Sequence, residues 1–498
     1  MKILSNSVSV LALALVLGAC ATTPPPTVKP EDMPKAYQAP VPDTQQQVTA
    51  DWWKSFNSPE LTAFIEEAHK GNLDLATAAA RLQQMQAQYG SDIANMIPSV
   101  QASGSVQQNG SHMTIGGRRD GIISNSYSAG GSASYELDLW GRNYNGMRSG
   151  RENARAAVYY QDTVTITTNA NVANAYFTVL ALRERVDVAR KNIEAAKRIL
   201  AITQAKVSNG VLSNLELAQQ TAQVLGEEAN IPRLEEQERE ARNALAILLG
   251  RMPGTLKIEA TNLEGLAAPA VQAGIPATLL THRPDVKQAE SSLMAAHADL
   301  DAARAAFLPG VSLTAGGGWR SDDWDKFINP EKLVWSLGAT VVQAIFDGGK
   351  LTSQRDYYKG REAELLASYR TAVLNALNDT ETQLGSVASY SEQERLTTDQ
   401  VKNAQEAFRI SELQYREGVV DLLTVLQAQQ TLFSAQDALI QIKQARLQSG
   451  VGLYRALGSG WDVTQDEDKS LRNTFIPVPD LTDLPIPNPA NIPAALTF

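Results

Sequence analysis

The chain has one cysteine, Cys20, in 498 residues, so an intramolecular disulfide is excluded. It has only four histidines, His69, His112, His282 and His297, and none stands at metal-ligand spacing to another. Aromatic residues make up 6% and there is no basic excess: the net charge is −10, so no stripe exists to neutralise nucleic-acid phosphates. Long apolar runs are absent too. The one near the N-terminus is too short for a transmembrane helix. Enzyme signatures are equally thin. "FDGGKL" at Phe346 is only superficially a phosphate loop, since Ala344 stands where glycine is required and Leu351 replaces the Ser or Thr. No serine sits in a nucleophile-elbow pattern, and no cofactor or metal is expected.

What is present begins with "MKILSNSVSVLALALVLGAC", which reads as a secretory signal over residues 1–19. Leu17-Gly18-Ala19-Cys20 resembles the bacterial lipoprotein box, which implies cleavage before Cys20 and a covalent lipid on it. That resemblance also implies the outer membrane, because Ala21 rather than Asp follows the cysteine. Residues 20–50, rich in proline, read as an extended tether.

The rest of the chain is written twice. At an offset of 211, Asp74, Ala78, Leu82, Ala87, Ala94, Pro98 and Val100 recur as Asp285, Ala289, Leu293, Ala298, Ala305, Pro309 and Val311. At an offset of 208, Gly210, Val211, Leu215 and Gln219 recur as Gly418, Val419, Leu423 and Gln427, and Leu249-Gly250 recurs as Leu457-Gly458. An ordered, slowly drifting offset is the mark of internal duplication. The first repeat spans 51–276 and the second 277–460, with a proline-rich tail at 461–498.

Each repeat predicts helix, strand, loop, strand, long helix, tight turn and helix. Strands are expected at about 98–108, 124–138, 309–320 and 333–346, because apolar residues alternate with serine, threonine and glycine. Val100, Ala102, Gly104 and Val106 share one face; Ser99, Gln101, Ser103 and Ser105 share the other. Such strands suit a membrane barrel with a polar interior, or a soluble sheet packed on helices. Four strands cannot close a barrel, and an open edge in lipid leaves backbone groups unpaired. A membrane barrel therefore needs several chains, two giving eight strands and three giving twelve.

Long helices are expected at about 141–209 and 348–417, each near 70 proline-free residues and so about 100 Å long. Return helices follow at about 213–250 and 421–458. "DTVTITTN" from Asp162 is β-branched enough to read locally as strand, but apolar helical periodicity on both sides keeps it in the helix. Gly210 and Gly418 suit the left-handed residue that stops a helix, Ser213 with Glu216 forms a capping box, and Asp421 can cap the second return helix. Val211, Leu212, Val419 and Val420 would then stand at the turns, where apolar residues suggest a docking surface.

"DWWKSF" at Asp51, "YELDLWGR" at Tyr135, "HRPDVKQAE" at His282, "ARAAFLPGVSL" at Ala303, "IFDGGKL" at Ile345 and "YREGVVDLLTVLQAQ" at Tyr415 resemble the TolC-type outer-membrane efflux family. The lipoprotein, NodT-like branch that partners resistance–nodulation–division pumps is most similar, over nearly the whole mature chain. The resemblance implies a mostly α fold with β: a homotrimer, a shared twelve-stranded barrel in the outer membrane, and a long helical barrel extending into the periplasm. A belt would come from residues 30–60, 251–276 and the tail after Trp461.

The resemblance further implies that the tips bind a periplasmic adaptor coupled to an inner-membrane pump, through Gly210, Val211, Ser213, Leu215, Gly418, Val419, Asp421 and Leu422. A resting gate would involve Tyr415, Arg416, Asp421, Leu423 and Gln427. Gln427 stands where related channels often carry aspartate, which weakens the charged-ring form of that gate and leaves Tyr415 and Arg416 as a hydrogen-bonded latch. Function would be passive efflux of small molecules, with no bond chemistry. The other readings are a protein or peptide secretion channel and a structural lipoprotein without a pore.

Overall fold

A computed structural model describes residues 27–41, 49–115, 118–267, 273–326, 331 and 333–461. Cys20, the signal and the tail beyond Trp461 lie outside the described residues. In chain order the elements are helices α1 (Pro59–Gly71) and α2 (Leu73–Ala94), strands β1 (Ser99–Ile115) and β2 (Arg118–Leu137), and helices α3 (Arg142–Ser208) and α4 (Asn214–Leu248). Helix α5 (Pro284–Ala305), strands β3 (Gly310–Ser321) and β4 (Leu333–Val342), and helices α6 (Lys350–Arg416) and α7 (Leu422–Ala456) follow. The duplication is visible in the lengths: α2 and α5 both have 22 residues, α3 and α6 both 67, and α4 and α7 both 35.

One compact unit holds residues 84–156 and 289–369. Its centre is an antiparallel sheet in the order β1-β2-β3-β4. The register sets Val100, Ala133, Ala315 and Leu337 in one row and Gln101, Ser132, Gly316 and Ser336 in the next. Because residues in register share a face, one side carries Val100, Val106, Tyr127, Tyr135, Leu313, Trp319, Trp335 and Val341. The other carries Ser99, Ser103, Ser128, Ser132, Ser312, Thr314, Ser336 and Thr340. Hydroxyls meet across strands on that second face, Ser99 Oγ with Ser134 Oγ at 2.9 Å and Ser105 Oγ with Ser128 Oγ at 2.7 Å.

Gly130 and Gly318 are partners in this register, both on the hydroxyl face. A Cβ added to Gly130 would lie 2.7 Å from Gly317 O, and one added to Gly318 would lie 2.6 Å from Gly130 Cα. The two backbones therefore crowd each other at this pair, where only glycine fits.

The first hairpin runs further than its alternation predicts. From Gln107↔Ser126 to Ile115↔Arg118, β1 and β2 pair only with each other, because β3 reaches no further than Tyr127. The reason is physical: outside an apolar layer neither face is selected for hydrophobicity, so the alternation fades while the backbone ladder continues. At the other end of the sheet β2 and β4 each turn into a long helix through a capping aspartate. Asp138 accepts from Asn143 N at 3.1 Å and Tyr144 N at 2.7 Å, and Asp347 accepts from Gly349 N at 2.9 Å and Leu351 N at 2.8 Å. Trp140 Nε1 donates to Pro309 O at 2.7 Å, tying the β2–α3 junction to the start of β3.

The second unit holds residues 28–83, 157–288 and 370–461. "DWWKSF" forms a 3₁₀ turn, Trp52–Phe56, whose Trp52 stacks on Tyr454 with ring centroids 5.2 Å apart while Phe56 meets Phe177 at 5.3 Å. All four rings are buried. The segment after α4 is held by polar contacts: Arg183 Nη1 donates to Ile258 O and Ala260 O, both at 2.8 Å, and Glu60 Oε1 accepts from Glu259 N at 2.6 Å. The β-branched patch after Asp162 lies inside α3, as its flanking periodicity predicts.

Candidate functional site

The turns joining α3 to α4 and α6 to α7 are built alike. Gly210 (φ +71°) and Gly418 (φ +79°) take the left-handed conformation. Gly210 N donates to Val207 O at 2.9 Å and Val211 N to Lys206 O at 2.9 Å. Gly418 N donates to Tyr415 O at 3.1 Å and Val419 N to Gln414 O at 2.8 Å. These bonds satisfy the last carbonyls of each long helix. The return helices start on Ser213, whose Oγ accepts from Leu215 N at 3.2 Å and whose backbone N–H donates to Glu216 at 3.1 Å, and on Asp421, which accepts from Thr424 N at 2.9 Å. Bonds to the Thr424 side chain and backbone hold the Asp421 carboxyl below its ordinary range, so the cap is charged at neutral pH.

Apolar side chains stand out at both turns: Val211 is 68% exposed, Leu215 65%, Val419 70% and Leu423 66%. Leu422 differs from the expectation that groups it with them. It is buried, packed in a core with Ile199, Phe408, Tyr415, Val425, Leu432 and Phe433, because the first turn of α7 points position 422 inward and 423 outward.

Tyr415 is buried in that same core. Its Oη lies 2.9 Å from Thr203 Oγ1, and Thr203 in turn donates to Ile199 O at 2.9 Å. Lys206 donates to Tyr415 O and stands 4.5 Å from the Tyr415 ring centroid. Burial, outweighing the Thr203 bond, raises the phenol above its ordinary range. Three contacts from α3 thus hold one residue of α6.

The other expected gate residues are not part of this clasp. Arg416 is exposed and reaches only its neighbour Glu417, at 3.4 Å. Asp421, Leu423 and Gln427 are exposed. Thr203 and Lys206 were not among the residues that sequence reasoning singled out, since their partner is more than 200 positions away and neither type is distinctive on a helix.

Among the described residues no group of three or more His, Cys, Asp or Glu could hold a metal ion, and no helix is long and apolar enough to cross a membrane.

The sequence pattern described as "Outer membrane efflux protein" matches the chain twice, at residues 64–251 and 275–459. The pyoverdine export outer membrane protein OpmQ of Pseudomonas aeruginosa is 37% identical over 470 residues, covering 92% of this chain and 97% of that protein. The cation efflux system protein CusC of Escherichia coli is 28% identical over 453 residues, covering 90% and 97%. Among solved structures, the outer-membrane channel OprN superposes with a TM-score of 0.82 at 27% identity, covering 88% of this chain and 99% of that one.

Proposed function

The chain belongs to the outer membrane efflux protein family, and from that premise we propose how its parts serve conduction. It is the outer-membrane channel subunit of an efflux system, with a long helical barrel and a β-barrel.

Three copies share one twelve-stranded barrel. The observation carrying the sharing is the sheet itself: β1 and β4 are its two edges, nothing among the described residues pairs their outer sides, and the face rich in Val, Leu, Tyr and Trp suits lipid. The count of three is what the family resemblance implies. Pairing β4 of each copy with β1 of the next removes every edge in the apolar layer. The hydroxyl face then lines the water-filled interior.

Cys20 carries the lipid that anchors the N-terminus in the same membrane. Gly210, Val211, Ser213, Leu215, Gly418, Val419 and Asp421 form the surface that a periplasmic adaptor grips, coupling the duct to an inner-membrane pump. The Tyr415–Thr203 bond and Lys206 form the resting latch. Cargo is small molecules, moved without bond chemistry. OpmQ and CusC are named for pyoverdine and for cations respectively, so the family accommodates unlike cargoes and the duct itself need not recognise them.

The native mass of the detergent-extracted full-length protein tests this reading. Three chains, each heavier than residues 20–498 by a lipid, support it; a monomer stable in mild detergent refutes the shared barrel.

A further inference from the structure

Gln429 is completely buried, with 0% exposure, and neither its carboxamide oxygen nor its nitrogen has a hydrogen-bond partner. It sits in α7 one turn from Val425, Leu432 and Phe433, all buried members of the core that holds Tyr415. The corresponding return helix of the first repeat carries a buried amide as well, but Gln220 donates to Ala196 O at 2.9 Å. Gln220 leaves only its oxygen without a partner, so among the described residues Gln429 is the one whose two amide atoms are both buried and unpartnered.

We propose that Gln429 is a positioning residue for conduction: it keeps the latched core weak, so that the α6–α7 hairpin can part from α3. This rests on the latch reading given above. A buried amide without partners penalises the conformation that buries it, and any movement that wets this seam relieves the penalty. The apolar neighbours oppose opening and Gln429 favours it. Closure is then strong enough to seal the duct yet shallow enough for a docking partner to reverse. A leucine or methionine at this position would pack as well and would remove the bias.

The test uses the full-length protein in planar bilayers, reading the fraction of time conducting, with thermal melting measured on the same preparations. Gln429→Met is expected to melt a few degrees higher and to conduct for about one-tenth of the parent's time. Gln429→Leu repeats the measurement with a different apolar shape, should the thioether fail to assemble. A higher melting temperature with unchanged conduction would make Gln429 a structural burden unrelated to opening. A lower melting temperature in both variants would mean that its amide is satisfied in the resting core. Either result overturns the proposal. Tyr415→Phe, measured in parallel, separates the two readings: if it leaves conduction unchanged while Gln429→Met suppresses it, the latch falls and the role of Gln429 stands.

Discussion

Asn72 and Arg283 stand at the same place in the two repeats, 211 positions apart, and perform the same task with different chemistry. Asn72 Nδ2 donates to Leu248 O at 2.8 Å, and Arg283 Nη1 donates to Ala456 O at 3.1 Å, so each seals the last carbonyl of its return helix. The next turn is matched as well. A Cβ on Gly250 would collide with Gly71 O, and one on Gly458 with His282 O, so both helices end on a glycine pressed against the residue before the donor.

Arg283 bears more than its counterpart. It is buried, forks onto Asp285 at 3.0 and 2.6 Å and reaches Asp379 at 3.3 Å. Arg283→Ala loses the carbonyl seal and the fork onto two half-exposed carboxylates and is expected to cost about 2–3 kcal/mol, whereas Asn72→Ala costs about 1–2 kcal/mol. Urea midpoints of the solubilised protein check the ordering; equal losses would contradict it. Arg283→Lys keeps the charge but loses the fork, and should fall between them.

Gly318→Val is expected to abolish barrel formation, because no side chain fits beside Gly130 Cα. Gly110→Ala, with nothing within 4 Å of an added Cβ, should assemble like the parent. Heat-modifiable mobility of outer-membrane fractions distinguishes the two.

Asp162 gives the protein a pH dependence. Burial pushes its carboxyl from the ordinary value of 3.8 up to about 7. The folded chain therefore holds this proton over a range in which the unfolded chain has released it, so stability falls as pH rises from about 4 to about 7 and then levels. Asp162→Asn removes this contribution to the slope and should raise the melting temperature at pH 8 while changing it little at pH 4. A uniform shift at both pH values would contradict the assignment.

Tyr415→Phe keeps the ring in its core and deletes one hydrogen bond to Thr203. A bond of that kind contributes about 1 kcal/mol, which corresponds to about a fivefold gain in the conducting fraction. Single-channel recording measures it, and unchanged conduction would remove the latch.

The strands were legible because lipid and water impose opposite demands on alternate residues, and the register puts Val100, Ala133, Ala315 and Leu337 together as that alternation requires. The extension of the first hairpin was not, since beyond the apolar layer backbone pairing continues without any demand on side chains. The helix turns were legible from Gly210, Ser213, Gly418 and Asp421, whose chemistry is local. The clasp on Tyr415 and the seal by Arg283 were not: each depends on an acceptor far along the chain, and a motif such as His282-Arg283-Pro284-Asp285 identifies relatives without disclosing what its arginine holds. Leu422 marks the same boundary in reverse, since adjacent residues at a helix start look alike in sequence and differ only in the direction they face.

The hydroxyl-and-glycine wall of the sheet has a consequence for throughput. Serine, threonine and glycine offer no greasy surface to wet, and hydroxyls pair with each other across strands. The charges on this face of the β2–β3 ladder, Glu136 and Arg320, stand near its two ends. On the proposed reading that this wall lines the duct, its middle stretch holds few groups that grip a solute, and discrimination falls to other parts of the path.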